Sequence, residues 1–288
     1  MTIMTTTFIP CGAKTPFIAM VAGAIFGGSA WIATSAYFIG IAAILCSGIM
    51  LKKTKMFAGD AAPFVMELPA YHWPTMGNLL RSMWERGWSF IKKAGTIILL
   101  STIVIWFLSF FGWADGTLGM RAFTMLEEDQ MDCSILAYFG RGICWLFQPL
   151  GWGNWQATVA TITGLVAKEN IVGTMGVLYG GTEAYANMAA VFTGITGMSF
   201  LIFNLLCAPC FAAMGAIKRE MNNTKWFWFA IGYECGFAYI IAFIVNQLGG
   251  LFTGSVSGAL AMAEVILAFI ALAGLVYMVF RKDKYKNK

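Results

Sequence analysis

Apolar positions in this chain run in long uninterrupted blocks separated by short clusters of charge, so whole segments are hydrophobic all round and not along one stripe. A helix needs about 20 apolar residues to cross the hydrocarbon core of a bilayer. Eight stretches meet or approach that length: Met1–Gly28, Ser29–Leu51, Ala94–Trp113, Ser134–Leu150, Gly153–Tyr179, Tyr185–Ile217, Trp226–Leu248 and Val256–Phe280. The fourth is short, and polar residues interrupt the first and fifth. The pattern predicts an all-α polytopic membrane protein with about eight hydrophobic segments, some of them broken helices.

Composition agrees, with 59% of the 288 residues hydrophobic and 11% charged. The placement of charge predicts orientation, because Lys and Arg accumulate in short cytoplasmic loops. Seven basic residues fall in Lys52–Lys93, three in Lys218–Lys225 and five in the tail Arg281–Lys288, whereas Asp115–Asp132 holds five acids against Arg121 alone. Placing the basic segments inside puts both termini in the cytoplasm, provided the uncharged Gly151–Gly153 turn is inside too. Met1–Thr7 has no basic region of the kind a cleavable signal peptide carries, so the first segment is expected to act as the insertion signal. The net charge of +5 resides in these loops and tail, which points to anionic lipid and not to nucleic acid. Six of the seven cysteines fall inside hydrophobic segments, which argues against an extracellular disulfide framework.

Between Met56 and Lys93 three prolines, Pro63, Pro69 and Pro74, interrupt the chain before helical spacing resumes. There Trp84 and Trp88 are four apart and Arg81, Glu85 and Lys92 lie on or near another face, the pattern of a helix resting at the headgroup level.

Two Pro-Cys pairs stand inside hydrophobic segments, Pro10-Cys11 and Pro209-Cys210, each about ten residues from the expected cytoplasmic end and so about 15 Å deep. Proline removes a helical hydrogen bond and leaves carbonyl oxygens without partners. Such backbone is tolerated at that depth only where it is enclosed by protein or lines a cavity. Two breaks at matched depth in segments of opposite direction form a pseudo-symmetric inverted pair, the arrangement that builds transporter sites. The plainer reading of each pair is a packing kink with cysteine as a small apolar filler.

The fifth segment carries Lys168 and Glu169 between glycines. A charge near the bilayer centre costs about 2.5–3.5 kcal/mol on insertion scales, so it faces a partner or a polar pathway. Lys168 is expected either to clamp a carboxylate or the free carbonyls of a helix break, or to take part in gating. Arg141, Glu234 and Glu264 stand singly, Glu234 beside Cys235. His72 is the only histidine, which removes histidine-rich metal sites and leaves a His-based catalytic triad little support.

Four ordered motifs, "TTTFIPCGAKTPFIA", "PFVMELPAYHWP", "GLVAKENIVGTMGVLYG" and "LLCAPCFAAMGAIKRE", together resemble the gate regions of the ferrous iron transport protein B family, FeoB, over essentially the whole chain. The resemblance implies Fe2+ uptake across a bacterial cytoplasmic (inner) membrane under an N-terminal GTP-binding domain. It also implies a small FeoA-type protein as partner, and it maps the two gate cysteines onto Cys11 and Cys210. No GxxxxGK[ST] phosphate loop occurs, and "GAKT" at Gly12–Thr15 lacks the required spacing. The expectation is therefore a permease half, not an enzyme, working with a GTP-binding domain in trans, as a separate subunit or a truncated product. A homo-oligomer is compatible with this. Cys207 stands where the family usually has an aromatic residue, and Thr15 and Ala70 replace Leu and Pro.

No permanently bound cofactor is expected, with Fe2+ as the cargo. Thiolates and carbonyl oxygens together suit a divalent transition metal. The candidate ligands are Cys11, Cys210, Cys207, Glu67 and Glu169; the candidate gate residues are Pro10, Lys14, Lys168, Pro209, Asn204 and Glu234. The expected organisation is a first gate region (1–51), a cytoplasmic loop with interfacial helix (52–93), a span with an acidic external loop (94–133), a second gate region (134–220) and two final spans with the tail (221–288). Two other functions fit some of these features. A nucleoside or small-solute carrier would use Asn154, Gln156, Asn170 and Asn204, and a membrane thiol redox protein would use the CxxC spacing of Cys207–Cys210.

Overall fold

The computed structural model describes residues 2–54, 57, 75–115, 121–125, 133–180, 183–254 and 259–281, so Glu67, Ala70 and His72 lie outside the described residues. In chain order the helices are α1 (Thr2–Thr6), α2 (Thr15–Ile25), α3 (Ala30–Lys52), α4 (Met76–Phe110), α5 (Ile135–Ile143), α6 (Trp155–Val166) and α7 (Asn170–Leu178), followed by α8 (Ala184–Val191), α9 (Gly194–Leu206), α10 (Phe211–Met221), α11 (Thr224–Thr253) and α12 (Ala259–Phe280). A 3₁₀ segment, Cys144–Leu150, follows α5. Two strands, β1 (Phe111–Asp115) and β2 (Arg121–Met125), pair antiparallel with Phe111 opposite Met125 and Asp115 opposite Arg121. Among the described residues the otherwise helical fold thus carries one small β ladder, where aromatic residues and Thr124 favour extended chain.

Helix α9 is the axis of the molecule. It opens with a capping box between Thr193 and Thr196, and from Ser199 to Leu206 every residue is buried. A helix hydrophobic all round must be enclosed. Its aromatic residues meet those of the 3₁₀ region: Trp152 stacks on Phe147 at 4.5 Å and meets Phe200 edge-on at 5.1 Å. Helix α11 lies alongside, fixed by Ser199 Oγ donating to Ala242 O at 3.1 Å.

Among the described residues four stretches are long and apolar enough to cross a membrane: Ala30–Lys52, Gly194–Met221, Thr224–Thr253 and Ala261–Phe280. The apolar window of Gly194–Met221 is 61% buried and that of Ala261–Phe280 only 11%; since α10 buries only Ile217, it is α9 that forms the centre, with α12 at the rim. The molecule is a helical membrane protein.

Three expectations change. Ser134–Leu150 is not one continuous α-helix: α5 has nine residues, about 14 Å, before the chain tightens into the 3₁₀ segment containing Pro149. Pro149 O accepts Asn246 Nδ2 at 3.1 Å and Gln247 Nε2 at 2.9 Å. Those residues are about 33 Å along α11 from Thr224. The Gly151–Gly153 turn therefore sits at the opposite end of α11 from the basic Lys218–Lys225 turn, not on the same side. Gly151 itself has φ +86°, and a β-carbon there would strike Asn246 and Thr196.

Nor is Gly153–Tyr179 a span. Helices α6 and α7 form a re-entrant hairpin: Thr163 Oγ1 lies 3.1 Å from Thr174 Oγ1, and Gly164 leaves room for Ile171. Asn154 closes the open end, accepting Ala157 N–H at 2.8 Å while its Nδ2 donates to the Tyr179 hydroxyl at 3.1 Å. The third change concerns residues 76–110, which form one continuous helix of 35 residues, about 52 Å long. The stacked pair Trp84–Trp88 and the exposed Arg81–Glu85 ion pair belong to the same rod as the expected span, not to a separate interfacial helix.

Candidate functional site

Three helix interruptions converge at one level. The chain leaves helical geometry at Thr7–Lys14 between α1 and α2, at Ala167–Glu169 between α6 and α7, and at Cys207–Cys210 between α9 and α10. In the third, Cys207 (φ −62°, ψ 163°) and Cys210 (φ −62°, ψ 161°) are extended around Pro209. Proline disfavours helical backbone in the residue before it and cannot donate to a preceding turn.

A helix end leaves its last four carbonyls without intrahelical donors, and at this depth no lipid group can serve them. Phe203 O receives the Cys207 N–H at 2.7 Å. The next two receive ammonium groups: Lys168 Nζ donates to Asn204 O at 3.3 Å, and Lys14 Nζ donates to Leu205 O at 2.7 Å. Lys14 also donates to Thr7 O, at 2.9 Å, within its own break. Both lysines are buried, 3% and 2% exposed. Cations at a helix C-terminus are favoured by its dipole, which offsets part of their desolvation. The two arrive by a matching route, since Ala13-Lys14 stands just before α2 and Ala167-Lys168 just before α7. Pro16 in the first turn of α2 suits that start.

Glu234 on α11 is fully buried at the same level. Thr7 Oγ1 donates to its Oε1 at 2.9 Å, and its Oε2 has no hydrogen-bond partner. Lys14 lies within Coulombic reach of Glu234, Lys168, Cys11 and Cys207. Asn204 is likewise fully buried; its Nδ2 donates to Phe200 O at 3.1 Å and Thr161 Oγ1 at 3.4 Å, while its Oδ1 has no partner. Gly40 of α3 permits the first break to sit close, because a β-carbon there would lie 2.8 Å from Phe8 O and 3.2 Å from Pro10 Cδ.

Of the residues singled out in the sequence, Lys14, Lys168, Asn204, Glu234 and the two buried prolines gather around the end of α9. Cys11, within the first break, is exposed, Cys210, at the end of the third, is half-buried, and Cys207 is buried. The sulfur that Cys207 touches is that of Cys235, at 3.7 Å. Glu169 is exposed and faces a groove of about 230 Å³ against Trp106 and Phe110 of α4, away from the thiols. Among the described residues no three of His, Cys, Asp or Glu come together as a metal cage. A larger cavity, about 590 Å³, opens at the far end of α11 between Gln148, Thr196, Asn246, Gln247 and Glu264 and includes no break residue. Sequence reasoning did not single out Thr7 or the Cys207–Cys235 contact; the two cysteines are 28 residues apart and share no local pattern.

Comparison with known proteins bears on this arrangement. Residues 33–86 match the family described as ferrous iron transport protein B C terminus, and residues 91–224 match a gate family described as nucleoside recognition. The chain is 34% identical over 255 residues to the Fe(2+) transporter FeoB of Methanocaldococcus jannaschii, covering 87% of this chain and 37% of that protein. It is 32% identical to the Fe(2+) transporter FeoB of Escherichia coli K12, over 96% of this chain and 41% of that protein. A Porphyromonas gingivalis Fe(2+) transport protein A/Fe(2+) transporter FeoB fusion protein is 31% identical, over 87% of this chain and 34% of the fusion. The chain thus spans about two-fifths or less of these relatives' length. No solved structure matches. Over these residues the chain belongs with the FeoB family and corresponds to its C-terminal gate region.

Proposed function

We propose that this chain is the conducting part of a ferrous iron permease that moves Fe2+ into the cytoplasm across a bacterial inner membrane, as a transporter and not an enzyme. The observation that carries the reading is Lys14, which reaches from the Pro10-Cys11 break to the end of α9 just before the Pro209-Cys210 break. The two breaks, taken as halves of an inverted pseudo-repeat, then form one gate. Cys11 and Cys210 supply thiolates, and the main-chain carbonyls of the breaks, each with a second lone pair beyond the one a lysine engages, supply harder oxygens, a mixture suited to transient passage of a borderline divalent ion. Fe2+ is the cargo. Relatives named Fe(2+) transporters support that choice of ion, and the fusion with transport protein A supports a FeoA-type partner. A GTP-binding FeoB-type domain completes the assembly.

The description of the gate family favours a second reading, a nucleoside carrier. Two of its candidate amides already serve the fold, Asn154 as the cap and clasp of the α6–α7 hairpin and Asn204 through its Nδ2. The CxxC redox reading has less support, since the contact of Cys207 is with Cys235.

The test is uptake into reducing proteoliposomes by the purified chain, with and without a GTP-binding FeoB-type domain and with a nucleoside as competitor. Fe2+ flux reduced at least about 10-fold by Cys11→Ser and by Cys210→Ser is expected, which matches the loss of about 1.4 kcal/mol or more of differential stabilisation. Nucleoside flux indifferent to both serines would replace the iron reading with the second one.

A further inference from the structure

The gate residues leave unused the contact between Cys207 and Cys235. Cys207 is 5% exposed and ends α9, its position fixed by its own N–H to Phe203 O. Cys235 is half-buried inside the continuous helix α11, which is tied to α9 by the Ser199–Ala242 hydrogen bond. Both sulfurs therefore stand on rigid elements. Their separation is 3.7 Å. A tetrahedral site with metal–sulfur bonds of about 2.3 Å has a sulfur–sulfur edge of about 3.8 Å, so a cation would seat between these two sulfurs with almost no movement of either helix. Glu234 directly precedes Cys235 and is fully buried, so its carboxyl adds to the polarity of this level without joining the two sulfurs as a third ligand. With both thiols ionised, two thiolates and the Glu234 carboxylate face the ammoniums of Lys14 and Lys168, a set carrying one net negative charge.

We propose that Cys207 and Cys235 are the two-thiolate anchor of a binding site for a borderline divalent metal cation, separate from the gate cysteines Cys11 and Cys210. Binding replaces the S–H···S contact with two metal–sulfur bonds, and the two thiol protons pass to solvent. No electron is transferred. Thiolate ligands select transition ions over Mg2+ and Ca2+. The inference rests on the permease reading only for which transition ion is met in the cell.

The experiment is titration of the full chain in detergent, under a phosphine reductant, with Co2+ as the probe, reading the near-ultraviolet sulfur-to-cobalt charge-transfer band. It requires no transport, so a failure of the uptake reading leaves it interpretable. The titration is run in a Cys11→Ser/Cys210→Ser background, which removes the gate thiols, and the band is expected there as in the parent chain. In Cys207→Ser and in Cys235→Ser the affinity should fall by at least about 10–100-fold, the cost already typical of losing an outer-shell partner of a metal site. Size-exclusion profiles confirm that each variant is folded, and a maleimide footprint of the parent chain gives a second readout. Saturating Zn2+ should protect Cys235 from maleimide while Mg2+ does not. Three results would overturn the site: no band in the Cys11→Ser/Cys210→Ser background, a band that survives both Cys207→Ser and Cys235→Ser in that background, or peroxide closing the pair as a disulfide in a chain that binds no metal.

Discussion

At the scale of single residues, the lysines act as plugs for backbone oxygens. Lys14 serves two carbonyls and Lys168 one, at a longer distance. An acceptor left buried and unpaired costs about 1–3 kcal/mol, offset in part because methionine has no charge to desolvate. Thermal unfolding in detergent should therefore show Lys14→Met losing about 1–3 kcal/mol and Lys168→Met losing less. A reversed order, or no loss in either, would contradict this assignment of donors. Lys168 was legible in the sequence as a residue needing a partner, because a charge amid glycines in an apolar segment has few alternatives. Its partner was not legible. The acceptor is a main-chain oxygen of Asn204, and main-chain oxygens carry no sequence signature. The same holds for Cys207 and Cys235, whose meeting depends on how α9 and α11 are aligned.

At the scale of elements, the α6–α7 hairpin shows where hydropathy stops discriminating. Gly153–Tyr179 is apolar and long enough to be a span, and a re-entrant hairpin of the same length has the same mean hydropathy. What separates them is the extended backbone of Ala167 and the fit of Gly164 to Ile171. The turn also depends on Lys168 having a carbonyl to reach. The hairpin makes a coupled prediction. A side chain at 164 must displace Ile171, and overpacking costs about 1–3 kcal/mol. Gly164→Ala should destabilise the protein by that amount alone, and by clearly less in an Ile171→Ala background. Additive losses in this double-mutant cycle would mean that the two helices do not face each other. The Pro10 and Pro209 breaks were legible for the opposite reason, since proline inside an apolar run has a defined backbone consequence.

At the scale of the whole molecule, the hairpin and the short α5 change the threading. The basic segments and the acidic loop supplied orientation in the sequence, but the uncharged Gly151–Gly153 turn carried no charge to orient it. The hydrogen bonds from Asn246 and Gln247 to Pro149 O set it beside the far end of α11. An impermeant maleimide should therefore label Gln148→Cys and Lys225→Cys from opposite sides of a sealed vesicle, in a background with Cys11, Cys46, Cys133, Cys144, Cys210 and Cys235 replaced by serine. Labelling of both from one side would return the turn to the side of the basic loops.

The continuous helix α4 has a mechanical consequence. At about 52 Å it exceeds the roughly 30 Å hydrocarbon core by more than 20 Å, and no proline or glycine pair interrupts its hydrogen-bonded ladder. A rod of that length behaves as a lever arm. A tilt of about 5° about its Phe110 end sweeps the Met76 end through about 5 Å. Torque applied to the far half is thus delivered, geared down in amplitude, to Trp106 and Phe110 beside the groove of Glu169, the last residue of the break that Lys168 seals.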